Sequence, residues 1–274
     1  MSAFSAHIKL IIKSAAAKTW PIFYNRKGSF KVSRIVKSIP QYRMSLELDL
    51  SQLVDRSYAL GFYNKKSIDF LLLELTADCT WFVDAGANLG FYSFAIASTM
   101  DRVQCLAIEP DPYSQGKIES NISLNRNDNP QLPSQIHLEK CALGIHEGDL
   151  DLMINDSGNR AGSSICIDQR EFTGKATNTT IKVPVKRLST LLKHYGIQDS
   201  KWCLKLDIEG FEYPIINTML LDLNEKQLPC AIVVEWTGLG ILGDNNQTPI
   251  QLLQSSGYIL KNIEGAENYL FIKK

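Results

Sequence analysis

From about position 80 the chain alternates two patterns: short unbroken apolar runs, and longer segments whose apolar residues recur three and four apart. Short apolar runs bounded by turn residues predict buried strands, and the three-and-four spacing predicts helices packed on them. The expected strands are Trp81–Asp84, Val103–Glu109, Gln135–Leu138, Trp202–Asp207 and Ala231–Glu235, followed by Tyr258–Ile263 and Asn268–Ile272. The expected helices between them are 89–99, 113–125, 188–195, 213–223 and 250–255. Upstream, Tyr42, Met44, Leu46, Leu48 and Leu50 alternate with Arg43, Ser45, Glu47 and Asp49. That period of two predicts a half-buried strand, paired in a hairpin with Phe30–Val36 across Pro40, ahead of helices at 51–63 and 67–76.

Strands alternating with helices require parallel crossover connections, hence an α/β three-layer sandwich around a mostly parallel sheet. The segment Asp149–Val185 breaks the rhythm and reads as an antiparallel insertion before the helix at Leu188. The turn at Glu264-Gly265 makes the last two strands a closing antiparallel hairpin. The expected organisation is therefore residues 1–76 as an N-terminal helix, hairpin and helices packing on the core, and 77–274 as the sandwich with its insertion at about 149–185.

Composition changes this picture little. Lys plus Arg and Asp plus Glu both number 29, so the net charge is zero and gives no reason to expect nucleic acid as a partner. None of the six cysteines forms a CxxC pair, and Cys105, Cys203 and Cys230 lie in or beside buried runs. Free thiols in a reducing compartment follow, and the chain is expected in the cytoplasm. Asparagines 121, 178 and 246 match glycosylation acceptors by chance on that reading. The segment Phe4–Trp20 is too short and too interrupted by lysines for a membrane span or signal, and reads as an amphipathic helix. The four histidines lack metal-ligand spacing and read as structural.

Candidate chemistry gathers at two strand ends. After Val83 comes Asp84-Ala-Gly86-Ala-Asn88-Leu-Gly90, with a helix beginning at once. A buried strand that breaks into glycines and turns into a helix aims backbone N–H groups at a ligand. The next strand ends in Glu109, placed where a carboxylate accepts hydrogen bonds from ribose hydroxyls. Together they predict a nucleoside-containing cofactor. Asn88 occupies the place of the middle glycine in the dinucleotide fingerprint, which disfavours an NAD-dependent oxidoreductase. The second constellation is Lys205-Leu-Asp207-Ile-Glu209-Gly-Phe-Glu212, joined by Glu235 at the end of the following strand. Asp207, Glu209 and Glu235, with Lys205 among them, form an acidic rim able to orient a hydroxyl or take its proton. Capping of the next helix is the plain structural alternative for Asp207 and Glu209. No metal-ligand set is assigned; a divalent ion held by these oxygens is the alternative arrangement.

Val83-Asp-Ala-Gly-Ala-Asn-Leu-Gly-Phe-Tyr-Ser, Ala107-Ile-Glu-Pro-Asp-Pro, Asn121-x-x-x-Asn125, Ala142-Leu-Gly, Arg187-Leu-Ser, Lys205-Leu-Asp-Ile-Glu-Gly-Phe-Glu and Val234-Glu-Trp occur in this order. With these motifs the chain resembles the FkbM family of S-adenosylmethionine-dependent methyltransferases across about Phe82 to Trp236. Phe211 departs from the pattern, which more often has a small residue there. The resemblance implies a Rossmann-like class I methyltransferase sandwich and O-methylation of a hydroxyl on a saccharide, a glycan or lipid-linked sugar, or a secondary metabolite. The implied partner is thus a small-molecule or glycan acceptor. It also implies that Asp84, Gly86, Asn88 and Gly90 hold the methionine end of S-adenosyl-L-methionine, that Glu109 holds the ribose, and that Cys141 and Ala142 face the adenine. A cofactor-binding module without catalysis is the rival reading.

Overall fold

In a computed structural model, the structure describes residues 34–75, 78–154, 179–238, 240–265 and 268–274. The expected helix at 4–20 and most of the 149–185 segment lie outside them. Strands β1 (Arg34–Ile39) and β2 (Met44–Asp49) pair antiparallel from Arg34↔Asp49 to Ile39↔Met44. Helices α1 (Leu53–Ala59) and α2 (Lys65–Glu74) follow. The first is shorter than the sequence pattern suggests, because the chain turns through Gly61 at φ 83°.

The central sheet contains β3 (Cys79–Ala85), β4 (Gln104–Ile108) and β5 (Ile136–Glu139), all parallel. On the other side of β3 stand β9 (Lys201–Leu206) and β10 (Ala231–Val234), then β12 (Tyr269–Lys273) and β11 (Tyr258–Lys261). The order is β11-β12-β10-β9-β3-β4-β5, with β12 antiparallel to both neighbours. The closing hairpin therefore inserts its last strand between β10 and β11. A separate three-stranded sheet joins β6 (Ala142–Leu143), β7 (Gly148–Met153) and β8 (Thr180–Lys186). The two-residue strand β6 is too brief for any periodicity to announce.

Alternation along each strand serves two cores. Phe82, Cys105, Cys203 and Val233 face one layer, containing α2, α3 (Phe91–Thr99) and α4 (Pro112–Asn125). Val83, Leu106, Leu204 and Ile232 face the other, containing α6 (Leu188–His194), α7 (Glu212–Asp222) and α8 (Pro249–Ser255); α5 (Leu132–Gln135) is a single turn leading into β5. Strands buried on both faces need no polar side, which is why they read as unbroken apolar runs.

The hairpin docks through a ladder of polar side chains on α4. Tyr113, Lys117, Asn121, Asn125 and Asn129 recur every four residues, so they share one helix face and its continuation. Asn125 accepts the Ser45 N–H at 2.7 Å and donates to the Ser45 carbonyl at 2.7 Å. Asn121 accepts the Glu47 N–H at 2.8 Å, and Asn129 donates to the Arg43 carbonyl at 2.7 Å. Lys117 meets Glu47 at 3.3 Å, and the Tyr113 hydroxyl donates to Asp49 at 2.8 Å. Side-chain amides thus take the place of a neighbouring strand along the open edge of β2.

Candidate active site

The strand tips that form the site are level. Ala85 is paired with Ile108 on one side and Leu206 on the other, and Leu206 with Val234. The next residue of each strand, Gly86, Glu109, Asp207 and Glu235, therefore falls in one row at the carboxyl edge. Backbone pairing continues into that row: Glu109 N–H donates to Glu139 O, Asp207 N–H to Ala85 O, and Glu235 N–H to Leu206 O, at 3.0–3.1 Å. Open parallel sheets bind ligands at this edge.

Gly86 has φ 75°, Asn88 φ 52° and Gly90 φ 84°, a run of left-handed turns that non-glycine residues other than Asn seldom adopt. A Cβ on Gly86 would lie 1.8 Å from the Asp207 carbonyl oxygen, so only glycine lets the β3 and β9 tips approach. Glu109 is 6% exposed; its Oε2 accepts the Asn88 N–H at 2.7 Å and its Oε1 the Asp111 N–H at 2.9 Å. Each oxygen keeps a lone pair for a ligand hydroxyl. Burial pushes this carboxyl up to about 7.

Lys205 is the hub of the second constellation. Its Nζ donates to the Gly86 carbonyl at 2.7 Å, stands 3.2 Å from Asp207 Oδ2 and 3.6 Å from Asp84 Oδ1, and lies 5.5 Å over the Tyr92 ring. Burial works to discharge this ammonium, but the charges of Asp207 and Asp84 outweigh it and raise its pKa. One cation thereby ties the glycine turn to the acidic rim. Glu209, at φ 56°, is raised well above the ordinary range by burial and by Asp207 and Glu235. Glu235 is pushed up to about 8, chiefly by the neighbouring Asp207 charge and then by burial.

The cleft is lined by Gly86, Asn88, Glu109, Cys141, Ala142, Lys205, Asp207, Glu209 and Glu235, all expected from sequence. Asp84 and Gly90 are not among the lining residues. Asp84 is fully buried beneath the turn, where Oδ2 accepts the Ser93 N–H at 3.2 Å and hydroxyl at 2.8 Å, anchoring the start of α3. Its Oδ1 has no hydrogen-bond partner and faces Lys205 alone. A side chain at Gly90 would strike Phe94 and Ile118, so that glycine serves packing. Capping is also distributed differently from the plain alternative. Glu212, not Asp207 or Glu209, closes the turn: its Oε1 accepts the Ile208 and Gly210 N–H groups at 2.9 and 3.2 Å. Phe211 packs against the second core at the helix start.

Sequence reasoning missed Val54, Tyr58 and Asn64, which also line the cleft from the N-terminal segment. No motif marks them, and only tertiary packing brings them there. Tyr92, quoted within a motif but given no role, was legible as a neighbour of the turn. Ile108, Leu143 and Leu152 add an apolar end beside Cys141 and Ala142, suited to a flat heterocycle. Among the described residues, no group of three or more His, Cys, Asp or Glu is placed to hold a metal ion, and no helix is long and apolar enough to cross a membrane.

A sheet in this order, with its last strand inserted antiparallel and a cleft at its carboxyl edge, is the Rossmann-like class I methyltransferase architecture. A family model described as the methyltransferase FkbM domain matches residues 84–260, and the chain belongs to that methyltransferase family. Its cofactor is accordingly S-adenosyl-L-methionine. Over 172 residues it is 27% identical to "Methyltransferase 1" of Beauveria bassiana, covering 58% of this chain and 65% of that protein. Over 183 residues it is 28% identical to "Methyltransferase sdnD" of Sordaria araneosa, covering 58% of this chain and 67% of that protein. The chain thus spans about two thirds of the length of these curated relatives. Among solved structures, an FkbM methyltransferase from Methylobacillus flagellatus aligns with TM-score 0.46 and 16% identity, covering 71% of this chain and 44% of that one.

Proposed function

We propose that the protein transfers a methyl group to a hydroxyl oxygen of a saccharide, a glycan or lipid-linked sugar, or a secondary metabolite. The observation that carries this reading is Lys205, which fixes the cofactor turn and the acidic rim to one another through Gly86 O and Asp207. Glu109 would hold the ribose, the turn from Gly86 to Asn88 the methionine moiety, and Cys141, Ala142 and Leu143 the adenine. Asp84 would act from beneath, its unpartnered Oδ1 keeping Lys205 charged. The group bound there supplies a methyl already activated by a positively charged sulfur, so alignment is most of the protein's task.

Asp207 is placed to take the acceptor proton, oriented by the Lys205 ammonium 3.2 Å away. Glu209 and Glu235, whose carboxyls burial and the neighbouring charges push up from the ordinary range, would hydrogen-bond to acceptor oxygens. Cys79, Cys105, Cys141, Cys203 and Cys230 are free thiols, which supports a cytoplasmic setting. The test has two parts. S-adenosylhomocysteine should bind and NAD should not, by calorimetry. In a screen of hydroxylated acceptors with labelled methyl donor, Asp207→Asn should lower turnover by about 10²–10⁴-fold while keeping S-adenosylhomocysteine affinity. Unchanged turnover in that variant would remove Asp207 from the role of base.

A further inference from the structure

We infer that the acceptor is a hydroxylated ring with one flat apolar face and no anionic substituent, and that Tyr58, outside the family domain, receives that face. This rests on the methyl-transfer reading above. Next to the glycine turn the cleft lining combines two kinds of side chain. Val54 and Tyr58 of α1, with Phe91 and Tyr92 of α3, supply an apolar and aromatic wall; Asp207, Glu209 and Glu235 supply acids beside it. The aromatic wall is firmly backed. Tyr58 stacks on Phe91 with ring centroids 4.6 Å apart and planes 23° from parallel, and Tyr63 packs on the same ring at 5.1 Å. Helix α1 is itself pinned to the hairpin, since Asp55 accepts the Asp49 N–H at 2.6 Å and Arg56 donates to the Leu50 carbonyl at 3.0 Å.

Charge narrows the occupant further. Among the described residues lining the cleft, Lys205 is the one cation, and it is already engaged by Gly86 O, Asp207 and Asp84. The lining acids are Glu109, Asp111, Asp207, Glu209 and Glu235. A phosphate, sulfate or carboxylate on the acceptor would have to shed its water beside the Asp207 carboxylate with no cation left to meet it. The C–H face of a sugar and the face of a phenol both suit an aromatic wall, and the acids beside it suit their hydroxyls.

Four probes titrated into protein saturated with S-adenosylhomocysteine test this: tyrosol and methyl β-glucoside, which are uncharged, and their anionic counterparts 4-hydroxyphenylacetate and methyl β-glucuronide. At least one uncharged probe should bind at millimolar concentration, and its anionic counterpart should bind at least about ten-fold more weakly. Which of the two binds identifies phenol or sugar as the source of the ring. Tyr58→Ala should weaken the bound probe by about ten-fold and leave S-adenosylhomocysteine affinity unchanged, whereas Tyr58→Phe should keep both. Equal binding of the charged and uncharged partners, binding of none of the four, or indifference to Tyr58→Ala each overturns the inference. The charge comparison uses the unaltered protein, so it stands even where a variant misfolds. Failure of S-adenosylhomocysteine itself to bind would instead overturn the cofactor placement beneath it.

Discussion

Replacing Gly86 by alanine perturbs a place where the glycine turn meets the tip of β9. The added methyl would sit 1.8 Å from the Asp207 carbonyl oxygen and 2.9 Å from its carbon, neither of them a flexible side-chain end. Gly86 also has φ 75°, where an L-residue costs about 1–2 kcal/mol. Forcing an extra carbon into a filled site adds about 1–3 kcal/mol. Their sum, about 2–5 kcal/mol, should lower the melting temperature by roughly 5–15 °C. Relief of the clash requires the β3 and β9 tips to part, which moves Lys205 off the Gly86 carbonyl. If about 3 kcal/mol of that strain falls on the bound state, S-adenosylhomocysteine affinity drops about 100-fold. Calorimetric titration and a melting curve read both effects. Gly116→Ala is the control: its Cβ meets nothing within 4 Å in α4, and the substitution should be stabilising by about 0.5–1 kcal/mol. A Gly86→Ala protein that binds the ligand within three-fold of wild type and melts no earlier would refute the convergence of the two strand tips.

Asn125→Ala strands the Ser45 N–H and carbonyl and should destabilise by about 2–4 kcal/mol in urea unfolding; a loss below about 0.5 kcal/mol would show that the ladder does not hold the hairpin. Glu109 and Glu212 are both pushed up to about 7, chiefly by burial, from an ordinary value of 4.5. Folded protein therefore binds more protons than unfolded between those values, and stability should fall as pH rises from about 5 to 7, by roughly 3 kcal/mol per group at most. Equal denaturation midpoints at the two pH values would contradict that. Lys205→Met leaves Asp84 buried without its cation and should cost about 3–5 kcal/mol, while the Lys205→Met, Asp84→Asn double variant should recover part of it; no recovery would mean the two are not paired.

The sheet was legible because strands covered on both faces must be apolar throughout, and Phe82-Val83, Leu204 and Ile232-Val-Val234 are. The acidic tips were legible for the complementary reason: Glu109, Asp207 and Glu235 each follow such a run by one residue. Less visible was the division of labour among neighbours. Asp84 and Gly90 look like ligand contacts within the motif, yet one lies beneath the turn and the other packs on Phe94. Glu212 resembles its acidic neighbours but spends one oxygen on the turn. Tyr58 carried no signal at all. Its place depends on α1 meeting the start of α3, a contact between segments whose local patterns say nothing about each other.

Helix α4 faces two ways. Asp111 and Ser114, at its start, border the cleft, while Tyr113 to Asn129 stitch it to the hairpin. The seam between residues 34–75 and the rest of the molecule is consequently written in side chains belonging to the larger partner. Grafting a relative's N-terminal segment onto this body, to import its choice of acceptor, should succeed only when positions 113, 117, 121, 125 and 129 travel with it.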